Sequence, residues 1–241
     1  MPTQRPDGSP LKALAAAGLA CLLVVVAASA AIRLEWGFIP AFRIVHRAAA
    51  SLEVLAVLWI GWEAWRGRRE HPRLAMAAAL ALALTVALSA IGIASGQHPS
   101  RPAALANLLG GLALASTFAW LLGAVRGRGA ALAAALAALM GALLGSQALI
   151  GARLSIFGRT ELPALPAHAL LGIVTAALTA WIALARIRGA SGRLLFACAL
   201  LAPTAGFTAL QYDYSRGAAL MHAIAVALLV AAAAYVIGRN A

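Results

Sequence analysis

Eight apolar runs, each long enough to cross a bilayer, constrain this chain more than any other feature: residues 12–32, 43–65, 74–95, 103–125, 130–152, 166–186, 193–211 and 216–238. A helix needs about 20 apolar residues to cross the hydrocarbon core. Backbone polar groups in lipid must be satisfied within the chain, so runs of this kind are read as helices. Their even spacing and short connections leave no separate soluble domain. Composition agrees: 63% of the 241 residues are hydrophobic and 11% charged, where a soluble domain carries about 25% charged residues. The formal net charge of +12 does not point to nucleic acid, because the basic residues sit in short loops and form no continuous stripe. Lipid is the first partner the sequence implies.

Arginine placement predicts the orientation. Arg5, Lys12, Arg66, Arg68, Arg69, Arg73, Arg126, Arg128, Arg186, Arg188, Arg193 and Arg239 fall on one side. Arg33, Arg43, Arg47, Arg101, Arg153, Arg159 and Arg216 fall on the other. The richer side is expected to be cytoplasmic, with both termini inside, in a multi-pass protein of the inner (plasma) membrane. Trp59, Trp62 and Trp65, with Glu63, read as an aromatic belt on that side. Residues 13–31 end in Ala28-Ser29-Ala30-Ala31 and have the look of a signal peptide. The first span has a counterpart in the second half, which argues that it is retained.

That counterpart belongs to an internal repeat. Ser100-Arg101-Pro102-Ala103-Ala104-Leu105-Ala106-Asn107 matches Ser215-Arg216-Gly217-Ala218-Ala219-Leu220-Met221-His222. Arg33-Leu34 matches Arg153-Leu154, and His46 matches His168. The expected fold is therefore an all-α membrane protein, with eight transmembrane helices as two tandem four-helix bundles, residues 1–125 and 126–241. The glycine pairs Gly92/Gly96 and Gly141/Gly145 are expected to allow close helix approach. Cys21 and Cys198 lie inside apolar runs without CxxC spacing and read as packing residues.

The repeat brings the histidines into register. A histidine near a helix end, taken alone, is commonly an interfacial polar residue. Two at matching depth on facing helices are different, because polar groups within a membrane are costly and tend to serve function. Neutral imidazole is a haem-iron ligand, and bundle cores house cofactors between facing helices. His168 and His222 thus form a candidate haem site, with His46 and Asn107 as their counterparts. His71 reads as a solvated loop residue; His98, in a loop beside Pro99, is either a substitute ligand or simply exposed. The arginine excess on the histidine side calls for anions. Haem propionates would serve, through bidentate guanidinium contacts; lipid headgroups would serve equally. Glu53 lies seven residues beyond His46 on the same helix face. It reads as a proton-handling group or as an interhelical hydrogen-bonding one. Gln147 and Gln211 are expected to bond between helices. A transporter with a parallel repeat is the competing class, but matched helix-breaking Gly/Pro pairs are missing and Pro203 stands alone.

Taken together, the two four-helix halves, the His46-Arg47 pair opening span two, Arg33-Leu34 after span one, and His168 with His222 resemble haem A synthase over nearly the whole chain. The resemblance implies a membrane oxidoreductase that oxidises a ring methyl of haem O to the formyl of haem A for terminal oxidase assembly. It implies haem b as cofactor between His168 and His222, with haem O as substrate in the N-terminal half. His46 and Glu53 are the catalytic candidates there. Arg153, Arg216, Asn107 and Arg47 are the cofactor-binding candidates, and His46 is a third candidate iron ligand. Haem O synthase and terminal oxidase subunits are the implied partners. Three positions depart from the family pattern. Asn107 replaces a histidine, Arg43 replaces a carboxylate three residues before His46, and residues 33–43 lack a cysteine pair, leaving Glu35. The alternative is a non-catalytic haem-binding or electron-transfer protein, or a haem carrier in oxidase assembly.

Overall fold

The computed structural model describes residues 9–96, 98–126, 132–158, 163–212 and 215–239. Arg5, Arg128, Arg159, Glu161 and Asp213 lie outside the described residues. The described residues form α1 (Ser9–Arg33), α2 (Ile39–Arg66), α3 (Pro72–Ser95), α4 (Arg101–Arg126), α5 (Ala134–Phe157), α6 (Leu165–Arg186), α7 (Ala190–Gln211) and α8 (Arg216–Gly238). All eight are long and apolar enough to span a membrane. Alanine and leucine supply the propensity. Proline in the first turn of α2, α3 and α6 starts those helices where its missing N–H costs nothing. Gly158, at φ +60°, ends α5 in a conformation that L side chains rarely adopt.

Helix boundaries differ from the hydropathy runs mainly at arginines. The helix of the second span begins at Ile39, ahead of Arg43, and that of the fifth runs through Arg153 to Phe157. A long guanidinium side chain reaches the interface from inside a helix, so the helix need not stop where the apolar run stops.

Helices α1 to α4 pack in a ring, each against its neighbours, and α5 to α8 do the same. The halves meet along α4 and α8, flanked by α1 against α8 and α4 against α5. That pattern maps onto itself when the halves are exchanged, as an isologous contact does. The central contact is built from repeat-equivalent residues. A Cβ on Gly123 would strike the Tyr235 carbonyl, and one on Gly238 would strike the Trp120 carbonyl. Counted from Ser100 and Ser215, Gly123 corresponds to Gly238 and Trp120 to Tyr235. Small residues permit backbone contact between membrane helices, but not at the pairs expected. Gly92, Gly96, Gly141 and Gly145 face open space, because glycine allows close approach only on the face a neighbour covers. Gln211 corrects a second expectation: it is exposed at the end of α7 and makes no interhelical hydrogen bond among the described residues.

The two bundles are filled differently. Between α1, α2, α3 and α4 lies a core containing Leu22, Val57, Ile60, Leu114, Leu121 and fully buried Phe118, whose ring occupies the space beside Gly18. The repeat counterpart of Phe118 is Ala233, in a core with Met140, Leu144, Ile182, Leu195, Leu229 and Val236. Contact of α5 with α6 and α8 is sparser than that of α1 with α2 and α4. The C-terminal bundle is thus the more loosely closed around its first helix.

Candidate functional site

His168 stands one turn into α6 and His222 two turns into α8, both at the end of the bundle opposite the arginine-rich loops. Both are half-buried. Their ring centroids are 6.3 Å apart with planes at 83°. Metal–imidazole bonds of about 2 Å on either side, plus the ring radii, would set two axial imidazoles of one metal roughly 6 Å apart centre to centre. The observed spacing meets that requirement.

Each ring is seated on a glycine of a neighbouring helix. A Cβ on Gly151 of α5 would lie 2.8 Å from His168 Cε1. A Cβ on Gly206 of α7 would lie 3.0 Å from His222 Cε1. His222 Nδ1 lies 3.1 Å from the Ala202 carbonyl. A carbonyl can only accept, so Nδ1 carries the proton and Nε2 keeps the lone pair that a metal needs. The Gln147 amide nitrogen of α5 donates to the His168 carbonyl at 3.0 Å and stands 3.5 Å from His168 Nε2. His168 Nδ1 and Gln147 Oε1 are buried without a hydrogen-bond partner among the described residues. Unmet buried polar atoms cost about 1–3 kcal/mol each, and each one in a native bundle calls for an explanation, such as a bound water, an ion or a functional role. No group of three or more His, Cys, Asp or Glu side chains capable of holding a metal ion is found among the described residues. A haem iron asks for less, since the macrocycle fills four positions and the protein supplies the axial ones. His168 and His222 have the spacing that group asks of two axial ligands.

In the N-terminal bundle the counterparts are arranged otherwise. His46 is half-buried on α2 with Nδ1 3.3 Å from the Val25 carbonyl of α1. Asn107, half-buried on α4, stands where the second imidazole would be. Ala31 and Ala50 replace the glycines that seat the site in the other half, Gly151 and Gly172. Glu53 is buried on α2 and accepts a 2.9 Å hydrogen bond from the Thr85 hydroxyl of α3. That contact matches the interhelical reading of Glu53.

The candidate arginines lie at the rim. Arg47 and Arg153 are exposed. Arg216 donates to the Glu35 carbonyl at 3.1 Å and pairs with its carboxylate at 3.2 Å, tying the α1–α2 turn to the start of α8. His98 is exposed, and His71, also exposed, stands just before α3 at the opposite end of the bundle without a side-chain capping bond. Gly151, Gly172 and Gly206 do not stand out as site residues in the sequence. The signal was present for two of them, since the repeat sets Gly151 against Ala31 and Gly172 against Ala50.

No protein-family model matches this chain, and no curated protein matches it in sequence. The fold and the site define its class: a polytopic helical membrane protein with paired imidazoles set into one of its two bundles.

Proposed function

We propose that this chain is a haem-binding membrane oxidoreductase of the haem A synthase type. The observation that carries the reading is the His168–His222 pair at 6.3 Å, each ring seated on a glycine. His168 and His222 hold a b-type haem, which supplies one-electron redox chemistry when bound. Haem O is the substrate, taken up in the N-terminal bundle beside His46, and haem A is the product for terminal oxidase assembly. Buried Glu53 and exposed Arg47 flank that half on the same helix. Arg153, at the rim of the C-terminal bundle, suits a propionate, and Arg216 would have to exchange Glu35 for one. The arginine-rich side is cytoplasmic in the inner membrane, with both ends of the chain there. Haem O synthase and oxidase subunits are the partners this role requires.

A second reading, a haem carrier or electron-transfer protein, is favoured by one set of observations: Asn107 opposite His46, Ala31 and Ala50 in place of glycines, and the tighter closure of α1 on α2 and α4. The decisive experiment is to express the chain with a haem O supply and identify the extracted haems. Haem A, lost in His46→Ala while the b-type spectrum persists, supports the enzyme. Haem b without haem A supports the carrier. Purified protein without haem sinks both.

A further inference from the structure

Exposed side chains on α2 recur at steps of seven residues. Leu52, Leu55 and Leu58 stand two turns before Trp59, Trp62 and Trp65, and Trp59 stands two turns before exposed Arg66. Seven residues advance a helix by about 10 Å and return to nearly the same face. One face therefore runs from aliphatic to indole to guanidinium toward the arginine-rich end. Tryptophan settles at the headgroup level of a bilayer, which puts the leucines at acyl depth and Arg66 among the phosphates. The turn beyond α2 is hydrogen-bonded: the Glu70 and His71 amides both donate to the Gly67 carbonyl, at 3.0 and 2.9 Å. Arg68 folds back from it onto the end of the tryptophan face. Its guanidinium carbon lies 4.1 Å from the Trp65 ring centre, and its Nη1 donates to the Trp65 carbonyl at 2.9 Å. Arg68 is exposed, so the other N–H groups of its planar fork can meet an outside acceptor.

We propose that this face binds an anionic phospholipid, its phosphate held by Arg66 and Arg68 and its acyl chains laid over the tryptophans and leucines of α2. Charge selects the lipid: residues 66–73 carry four arginines, Arg66, Arg68, Arg69 and Arg73, against one acid, Glu70. Basic residues beside a membrane helix attract anionic headgroups, and guanidinium grips a phosphate at two points. The arginine spacing belongs to the repeat. Arg66, Arg68 and Arg73 recur 120 residues on as Arg186, Arg188 and Arg193, and Arg186 lies 5.7 Å from the Trp181 ring centre. Gly189 stands there in place of Arg69, and Thr179, Ile182 and Ala185 in place of the three tryptophans. The N-terminal half therefore holds the fuller site. The proposal rests on the surface of α2 and stands apart from the haem reading.

The test reads tryptophan fluorescence of the full chain in bilayers, with exposed Trp36 and Trp181 replaced by phenylalanine so that the tryptophans of α2 dominate. Quenching by brominated phosphatidylglycerol is compared with quenching by brominated phosphatidylcholine, which gives the preference for the anionic headgroup. The preference is expected to favour phosphatidylglycerol and to fall about fivefold in each of Arg66→Gln and Arg68→Gln. Arg68→Lys keeps the charge, and with it the orientation signal, but loses the planar stack and the two-point grip. It also lowers the preference, and it decides the matter if the glutamine variants fail to accumulate. Arg101→Gln, exposed at the opposite end of the bundle, leaves the preference unchanged. Equal quenching by the two lipids overturns the proposal, as does a preference unmoved by the Arg66 and Arg68 substitutions or lowered as much by Arg101→Gln. Loss of the preference to inorganic phosphate at matched ionic strength assigns the arginines to a soluble anion and overturns the lipid. Quenching by neither lipid means that a second copy of the chain covers the face, which overturns it too.

Discussion

Where a buried polar side chain of this molecule meets a partner on another helix, that partner decides what the residue does. Glu53 is the clearest case. A carboxyl this deep needs a partner, and the Thr85 hydroxyl supplies it from α3. Thr85→Ala removes the donor and leaves the acceptor buried, which costs about 1–3 kcal/mol; a lower unfolding midpoint in detergent is the expected result. Glu53→Gln retains an acceptor for Thr85 and should melt close to the parent protein. If Glu53→Gln nevertheless abolishes haem O conversion at unchanged stability, Glu53 handles protons as well as binding helices. At the proposed haem site, His168→Ala and His222→Ala should each abolish the b-type absorption bands of the purified protein, whereas His98→Ala, at an exposed loop position, should leave them intact. Retention of the full bands in either of the first two variants contradicts the ligand assignment.

Helices meet closely here where glycine faces a covered side, and glycine count alone says nothing about that. Gly123 and Gly238 oppose backbone carbonyls across the α4–α8 contact. Gly123→Val or Gly238→Val forces those helices apart, an overpacking cost of about 1–3 kcal/mol, seen as a lower thermal midpoint. Gly92→Ala and Gly141→Ala meet nothing within 4 Å. They should be neutral or slightly stabilising, because alanine favours a helix over glycine by up to about 1 kcal/mol. Equal destabilisation by both sets would mean that the α4–α8 contact is not the tight one. The α1–α2 turn adds a smaller tie through Arg216 and Glu35, whose side chains are 63% and 73% exposed. An ion pair that open contributes under about 1 kcal/mol and weakens with salt, so Arg216→Ala should barely shift the melt.

At the scale of the whole molecule, one repeated plan has produced two unlike bundles. Exchanging the halves maps the α4–α8 seam onto itself, yet Phe118 is buried in one core where its counterpart Ala233 is buried in the other. Glycines seat side chains on α5 and α6 where alanines stand on α1 and α2. The paired imidazoles therefore belong to one half. Eight crossings also place the start of α1 and the end of α8 on one face. Reporters fused to the two ends should answer from the same compartment, and opposite answers would require an odd number of spans.

Much of this was legible in the residues before any coordinates. Lipid admits few solutions for a backbone, so a run of about 20 apolar residues becomes a spanning helix with little help from its neighbours. That is why the number and order of helices could be read directly, with boundary errors mainly where arginines such as Arg43 and Arg153 ride inside a helix. Register within the repeat likewise brought His168 and His222 to one level. Rotation of each helix about its axis is a different matter, because it is set by which neighbour covers which face. Only the tertiary structure decided that Gly123 and Gly238 are contact points while Gly141 and Gly145 are not, that Glu53 meets Thr85, and that Gln147 and Gly151 close around the imidazole of His168.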